Sequence, residues 1–229
     1  MMPGTGCYAF VLNPQGRIQA DLNLYCFEDH FLLDTEPELR EKVFTHIKRY
    51  IIADQVELED VTEQTACIGL EGPEAPSTLQ GPSTDYSHAP WNGYTAVRTS
   101  VTGQPGFRLF CAADQKPALI ANLETAGAQP ATAEDARIVR IENGVPRYGE
   151  DITDKSLPQE TQQMHAISFT KGCYLGQEIV ERIRARGHVN RKLERLELAD
   201  GQAPEGAEVT SSVVSPETGK TIALAYVRA

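Results

Sequence analysis

One cysteine of the five in the chain has neighbours that suit a reactive thiol. Cys173 lies in the octapeptide 171–178, KGCYLGQE, between two glycines and just before a run of helical pattern that begins at Gln177. A nearby lysine and the N-terminal end of a helix both lower the pKa of a thiol, because they favour the thiolate. The pattern therefore predicts a functional thiol at Cys173; a buried structural cysteine is the alternative.

The other four cysteines are far apart in the sequence and form no C-x-x-C pair, which argues against a zinc site and against a ferredoxin-type cluster. They are Cys7, Cys26, Cys67 and Cys111. An odd total also argues against a complete disulfide framework. Each of the four lies in an apolar, strand-like segment, so we predict small buried side chains there and no metal site.

Arg140 and Tyr148 are candidates for holding a planar ligand that carries a carboxylate. A guanidinium can bind a carboxylate or a polarised heteroaromatic edge through two hydrogen bonds, and a tyrosine ring can stack on an aromatic ring. A surface arginine on a helix is the alternative for Arg140. For Tyr148, core packing is the alternative, and Phe107 and Trp91 are equally eligible as stacking residues.

A basic island follows the cysteine motif, although the chain as a whole has a formal charge of −11 and a pI near 4.9. Its members are Arg182, Arg184, Arg186, His188, Arg191, Lys192 and Arg195. The island could attract a polyglutamate tail, RNA or an acidic partner, or it could be a solvated face with ion pairs to Glu181 and Glu194. The acidic total and the lack of interleaved aromatic residues argue against nucleic-acid binding.

The elements that position these residues are strands and helices in alternation, which is typical of the α+β class. We predict strands at residues 7–12, 17–26, 30–34, 56–61, 66–70, 94–100 and 107–112. We predict helices at 114–126, at 132–142 and from Gln177. A further helix is expected from Pro37, with Thr35 as its cap and an apolar residue at every fourth position. Residues 81–93, rich in Pro, Ser, Gly and Asn, are predicted to form a long loop.

The pattern changes after Asn190 to short strands with a hairpin turn at residues 215–219, so we predict two domains. Residues 1–190 form the α+β region, and residues 191–229 form part of a small β domain.

Several classes of protein lack their sequence signatures here. No apolar run approaches the roughly 20 residues that cross a bilayer, and no basic and apolar leader opens the chain, so we expect a cytoplasmic protein with no membrane partner. There is no P-loop, no G-x-G-x-x-G, no H-E-x-x-H and no G-x-S-x-G pattern. Nucleotide hydrolysis, dinucleotide chemistry and serine hydrolysis are therefore unsupported.

Three segments together resemble the YgfZ-type folate-binding proteins, which are relatives of the glycine-cleavage T-protein, an aminomethyltransferase. The segments are KGCYLGQE at 171–178, RIENGVPRYG at 140–149 and LPQE at 157–160, and weaker similarity runs from about Tyr8 to the end of the chain. The resemblance implies a T-protein-like folate-binding core of mixed sheets with packed helices, followed by a small C-terminal β-barrel-like domain. It also implies tetrahydrofolate as the cofactor. Because such proteins normally begin with a further strand-and-helix unit and continue past the equivalent of Val227, the resemblance implies that both termini of this chain are truncated.

The resemblance assigns roles to individual residues of this chain. It implies catalytic roles for Cys173 and Asp21, and cofactor binding by Arg140, Glu142, Tyr148, Lys171 and Gln177. Two positions depart from the aminomethyltransferase pattern. The relatives have two successive aspartates, and this chain has Ala20 at the first of these positions and Asp21 at the second. Arg108 stands where the relatives have a glutamate that binds the pteridine. Both departures argue against an intact aminomethyl-transfer enzyme.

The function that the resemblance implies is that of a tetrahydrofolate-binding accessory protein for iron–sulfur cluster assembly or repair. Its partners would be iron–sulfur client or assembly proteins, and Cys173 would handle sulfur or a cluster intermediate. A tetrahydrofolate-dependent aminomethyltransferase is the alternative. A truncated remnant without function is a third hypothesis.

Overall fold

The computed structural model describes residues 1–199 and 201–229 and shows an α+β protein, as predicted. These residues contain ten strands in three sheets, and helices lie between the strands along the chain. No helix in the described residues is both long and apolar enough to cross a membrane.

The first sheet contains the strands that open the chain. They are β1 (Thr5–Leu12), β2 (Ile18–Cys26) and β3 (Phe31–Asp34), in the order β1-β2-β3. Strand β2 alternates as predicted, because Ile18, Ala20 and Leu22 are buried while the residues between them are partly exposed. Every second side chain of a strand points to the same face, so this pattern commits one face of β2 to a core.

The second sheet has four strands in the order β4-β7-β6-β5. They are β4 (Thr65–Glu71), β5 (His88–Trp91), β6 (Tyr94–Val97) and β7 (Gly106–Ala112). The short helix α2 (Ala75–Thr78) and the helix α3 (Lys116–Thr125) contribute to the same apolar core. That core contains Leu70, Leu79, Phe107, Leu109, Leu119 and Leu123.

Helix α1 (Arg40–Tyr50) follows a single 3-10 turn at Pro37–Leu39, close to its predicted start. The predicted cap at Thr35 is wrong: Glu36 occupies the N-cap position in extended conformation and makes no side-chain capping bond. Pro37 starts the turn without such a bond, because proline has no N–H to satisfy and its φ is already helical.

Three further predictions of local structure need correction. Residues 56–61 form no strand; near the end of this segment the Asp60 carboxylate instead accepts bonds from the Arg40 Nε at 2.6 Å and the Thr62 amide at 3.1 Å, just before a turn at residues 62–64. Residues 81–93 are not all loop, since they include β5. Strand β6 ends at Val97 rather than at Ser100, whose hydroxyl donates to Glu71 at 2.6 Å.

The second half of the chain supplies two longer helices and the third sheet. Helices α4 (Ala133–Glu142) and α5 (Gln177–Arg186) precede strands β8 (Arg191–Leu198), β9 (Glu208–Val214) and β10 (Thr221–Arg228). The strands pair in the antiparallel order β8-β10-β9, and β9 and β10 are joined by the predicted hairpin turn. The barrel-like form predicted for this region stays a prediction.

The chain divides into two compact units. The first contains Met1–Cys7 and Asn23–Thr132, and the second contains Tyr8–Leu22 and Ala133–Ala229. The division passes through β1 and β2, so each of these strands contributes residues to both units. The predicted boundary between residues 190 and 191 stays a prediction.

Candidate functional site

All seven residues to which the sequence assigned a catalytic or cofactor-binding role belong to the second unit. They are Asp21, Arg140, Glu142, Tyr148, Lys171, Cys173 and Gln177. The contacts of each side chain differ widely, and these contacts decide what each residue can do.

Cys173 is exposed, whereas Cys26 and Cys111 are buried and Cys7 and Cys67 are partly buried. Burial raises the pKa of the Cys67 thiol to about 11, so this thiol stays protonated at neutral pH. The contrast separates Cys173 from the other cysteines by accessibility, which is the first requirement of a thiol that reacts or binds a ligand.

Gly176 fixes the loop that carries Cys173. Its φ is +82°, and a Cβ placed there would lie 2.6 Å from the carbonyl oxygen of Asn13 and 2.9 Å from the Cα of Gly16. The turn between β1 and β2 therefore packs directly on Gly176, and no other residue fits. At the same place the Gln177 Oε1 accepts a hydrogen bond from the Tyr174 amide at 3.0 Å. The end of the loop is thus held rigidly at the start of α5.

Two cation–aromatic contacts hold the basic side chains around this loop. The Lys171 Nζ lies 4.8 Å from the centre of the Tyr174 ring, and the Arg184 guanidinium lies 4.4 Å from the centre of the Phe169 ring. Burial raises the pKa of the Tyr174 phenol. Of the two glycines that flank Cys173, Gly176 has a positive φ and Gly172 does not. The cofactor-binding roles of Lys171 and Gln177 stay predictions.

The Asp21 carboxylate is oriented by a tyrosine that the sequence analysis did not single out. The Tyr8 hydroxyl donates to the Asp21 Oδ2 at 2.7 Å. The Tyr8 ring lies 5.4 Å from Phe10, edge to face, and 5.4 Å from His165 at an angle of 30°. A carboxylate fixed by a phenol whose own ring contacts two further rings suits a ligand with aromatic character and ring N–H groups. Only the pairing of β1 with β2 brings Tyr8 to Asp21.

The Arg140 side chain is buried, with 5% of the residue exposed, so its alternative as a surface arginine is wrong. Its Nη1 donates to the Val145 carbonyl at 3.0 Å and to the Asp151 Oδ2 at 2.8 Å, and its Nη2 pairs with Glu150. Asp151 also accepts bonds from the side chains of Thr210 at 2.7 Å and Ser211 at 2.6 Å. The guanidinium is therefore occupied by internal acceptors, and its folate-binding role stays a prediction.

Glu142 and Tyr148 differ in exposure. Tyr148 is 8% exposed, and Glu142 is partly exposed, with its backbone carbonyl accepting a bond from the Arg195 Nε at 2.5 Å. Glu142 belongs to a shallow surface depression. The other residues that line it are Asp135, Ile138, Val139, Pro216 and Glu217. Its three carboxylates repel the glutamate tail of a folate. Of the alternative stacking residues, Phe107 is buried in the core of the first unit.

Internal contacts use about half of the basic island. Arg191 contacts Glu160, Glu208 and the Tyr226 ring, and Lys192 pairs with Glu194 at 2.7 Å. Arg184 pairs with Glu181 at 3.5 Å. These contacts match the hypothesis of a solvated face with ion pairs for that part of the island. Arg182 and Arg186 are exposed on α5.

No group of three or more His, Cys, Asp or Glu side chains within residues 1–199 and 201–229 could hold a metal ion. The second unit therefore offers two chemical features: an exposed thiol on a fixed loop, and a carboxylate oriented by a phenol. The thiol can act as a nucleophile or as a single ligand, and the carboxylate can accept a proton or a hydrogen bond from a ring nitrogen.

Comparison with known proteins places the chain in a family. Residues 1–171 match the family model described as the GCVT N-terminal domain. Among similar proteins are the aminomethyltransferases of Rubrobacter xylanophilus, 32% identical over 98% of this chain and 66% of that protein, and of a strain of Thermus thermophilus, 33% identical over 98% and 69%. The chain thus spans about two thirds of the length of these relatives.

A solved structure supports the same fold. The crystal structure of glycine cleavage system aminomethyltransferase T from Bartonella henselae superimposes with a TM-score of 0.81, covering 100% of this chain and 69% of that one. The two sequences are 19% identical, so the likeness concerns the fold alone. The α+β architecture is therefore that of a T-protein.

Proposed function

The chain belongs to the family of the GCVT N-terminal domain, and from this premise we propose that it is a YgfZ-type, tetrahydrofolate-binding accessory protein for iron–sulfur cluster assembly or repair. The observation that carries the proposal is the exposed thiol of Cys173 on a loop fixed by Gly176. An aminomethyl transfer has no use for such a thiol, whereas sulfur or cluster transfer requires one.

The residues around Asp21 fit a tetrahydrofolate. The carboxylate held by Tyr8 can accept a hydrogen bond from a ring N–H, and the rings of Tyr8 and His165 lie beside it for contact with an aromatic group. Tetrahydrofolate, when bound, supplies nitrogen atoms that accept or release one-carbon units. The chain's own contribution at this place is to orient the carboxylate and to hold or release a proton at its oxygens.

One cysteine cannot hold an iron–sulfur cluster alone, so Cys173 needs thiols from another protein. Its partners are therefore proposed to be iron–sulfur client or assembly proteins. Lys171 and the exposed arginines Arg182 and Arg186 give this part of an acidic chain a local positive charge. Such a charge attracts an acidic surface and raises the rate of encounter with it.

The role of the thiol is tested with Cys173→Ser in cells that lack the protein and depend on iron–sulfur enzymes. Because Cys173 is exposed, we expect an unchanged melting temperature and a loss of nearly all support for those enzymes. Cys111→Ser, at a buried cysteine of β7, is the matched control and should retain support, with a small loss of stability. Full support by Cys173→Ser would refute the thiol mechanism.

A tetrahydrofolate-dependent aminomethyltransferase is the second candidate, and the bond from Tyr8 to Asp21 favours it. The relatives named above are aminomethyltransferases. Ala20 and Arg108 argue against it, since each replaces a carboxylate that the resemblance expects. The two candidates predict opposite results: Asp21→Asn should abolish turnover of an aminomethyl-loaded carrier protein only if the transferase hypothesis is right, and Cys173→Ser should leave that turnover intact.

A further inference from the structure

Strand β4 lies at one edge of the four-stranded sheet in the first unit. Within residues 1–199 and 201–229 it pairs with β7 alone, from Thr65 opposite Ala112 to Glu71 opposite Gly106. An edge strand presents backbone N–H and C=O groups that its own sheet does not use. The hydrogen bonds between β4 and β7 identify which groups of β4 these are.

Two hydrogen bonds at the ends of β4 fix the direction of the backbone groups along it. The Ala113 amide donates to the Gln64 carbonyl at 2.9 Å, and at the other end the Gly72 amide donates across to the segment before β7, also at 2.9 Å. In an antiparallel pair, every second residue exchanges hydrogen bonds with the residue opposite. The even-numbered residues of β4 therefore bond to β7, and the amides and carbonyls of Cys67 and Gly69 point away from it.

These outward groups are open at the centre of the edge. No backbone hydrogen bond engages Cys67 or Gly69 from outside the sheet, in the part of the chain that the structure describes. Gly69 is exposed, and a Cβ placed on it would meet only the Glu71 carboxylate, at 3.5 Å, which is ordinary contact. Its φ is not positive, so neither space nor backbone conformation requires a glycine here.

Strand β4 lacks the features that usually keep an edge strand from pairing with another chain, which are charges, prolines and bulges. Strand β5 contains Pro90, and the pairing of β9 with β10 shifts register between Leu224 and Ala225. In contrast, β4 pairs with β7 over its whole length without a shift, and residues 65–70 contain neither a proline nor a charged side chain. An edge of this kind suits the addition of an extended segment as a further strand.

The chain on both sides of β4 is acidic. No lysine or arginine occurs between Arg49 and Arg98, and Arg40 neutralises only two acids of this stretch by ion pairs. The exposed acids close to β4 in the sequence are Asp54, Glu57, Glu59 and Glu74. Basic residues at both ends of an added strand would complement this charge. A second copy of the chain, with its formal charge of −11, would instead bring more acids to the same place.

We propose that the outer edge of β4 binds an extended segment of a basic partner protein, which joins the sheet as a fifth strand. The outward amides and carbonyls of Cys67 and Gly69 form backbone hydrogen bonds with the uncharged centre of this segment. Its basic ends lie beside the acids that flank β4. The inference goes beyond the proposed function, because it requires neither a folate nor the thiol of Cys173.

The test compares two substitutions of one residue. Gly69→Pro removes the outward N–H but leaves the bonds from the neighbouring residues to β7, and Gly69→Ala is the matched control, because it keeps the N–H and has room for its Cβ. The probe is a synthetic peptide that alternates threonine and valine between two lysines at each end. A second peptide has glutamates in place of the lysines. Fluorescence anisotropy at low ionic strength measures the affinities.

We expect the wild type and Gly69→Ala to bind the lysine peptide at least about tenfold more tightly than Gly69→Pro does. Both should also prefer the lysine peptide to the glutamate peptide by at least about tenfold. Because the Gly69 amide has no backbone partner in the free protein, Gly69→Pro and Gly69→Ala should have similar melting temperatures.

Each other outcome overturns a defined part of the proposal. Equal binding of the lysine peptide by Gly69→Pro and Gly69→Ala rules out pairing at this edge, and so does a wild type that binds neither peptide. Equal binding of the two peptides rules out selection of a basic partner. Self-association of the wild type that Gly69→Pro abolishes would assign the edge to a second copy. A much lower melting temperature in Gly69→Pro than in Gly69→Ala would show that the amide is used inside the protein.

Discussion

Each unit of the molecule contains one largely buried arginine–aspartate pair, and the two pairs differ in how completely their hydrogen bonds are satisfied. In the second unit, Arg140 is bound by Val145, Glu150 and Asp151. In the first unit, Arg108 has one acidic partner, Asp34. The side chain of Asp151 is 0% exposed and that of Asp34 is 12% exposed.

The contacts of the Arg140–Asp151 and Arg108–Asp34 pairs indicate different roles for the two largely buried arginines. A guanidinium held by oxygen acceptors from three different residues orders the chain around it. Asp151 does this by joining α4 to Thr210 and Ser211 of β9. Arg108 is held by one carboxylate and the Cys67 sulfur, and the buried Tyr25 hydroxyl in the same unit has no hydrogen-bond partner among the described residues, so this pair is less completely satisfied. The arginine that the resemblance assigned to the cofactor is thus the one with less to offer.

The largest effect is expected when the satisfied pair is broken. Arg140→Met keeps most of the side-chain volume but leaves Asp151 buried without its cation, so the free energy of unfolding should fall by about 3–5 kcal/mol. Urea denaturation measures the change, with Arg182→Met on the exposed face of α5 as the control, for which a change within about 0.5 kcal/mol is expected. A loss below about 1 kcal/mol in Arg140→Met would contradict a structural role for this network.

A smaller effect is expected from the same substitution in the other pair. Arg108→Met leaves Asp34 without its cation, but Asp34 is partly exposed and Asn23 still donates to it at 3.4 Å. The free energy of unfolding should therefore fall by about 1–3 kcal/mol, less than in Arg140→Met. The same denaturation series gives the value. An equal or larger loss than in Arg140→Met would remove the distinction between the two pairs.

The smallest effect is a dependence on pH. Burial raises the pKa of Asp34 above its usual value, although Arg108 opposes this. The folded state then keeps the proton to a higher pH than the unfolded chain does, so the stability due to the protonated carboxyl is complete below the unfolded pKa and is lost as pH rises through the folded pKa. Asp34→Asn cannot titrate. As pH rises from the unfolded pKa of about 4 through the folded pKa, the unfolding free energy of the wild type should therefore fall relative to that of Asp34→Asn.

Denaturation of both proteins over this pH range provides the measurement. A difference that rises with pH would mean that the Arg108 charge outweighs the burial of Asp34. In that case the first unit would hold its pair as tightly as the second unit does, and the comparison would lose its basis.

The sequence predicted the local elements better than the site. The helix from Pro37, the strand that ends at Cys26 and the start of α5 were all recognisable, because they depend on periodicity and on residues close together in the chain. The strand predicted at 56–61 is wrong, and Asp60 of this segment instead pairs with Arg40, which lies 20 residues earlier in the chain. Local propensity cannot include such a contact.

The side-chain partners depended on strand register and on distant segments. Tyr8 meets Asp21 only because β1 and β2 pair as a hairpin. The neutralisation of Arg140 depends on Asp151 and, through it, on Thr210 and Ser211, which lie 59 and 60 residues further along the chain. The neighbours of Cys173 predicted a functional thiol there, which stays a prediction, and the fixed position of Gly176 against the β1–β2 turn was not predicted.

The central claim, that this member of the GCVT family binds a folate and does not need its thiol to do so, is tested most directly by calorimetric titration with 5-formyltetrahydrofolate. Wild type and Cys173→Ser are titrated side by side, and each sample is checked for a cooperative melt. The account predicts saturable binding with the same affinity in both proteins. A cooperative melt without any binding in the wild type would contradict it.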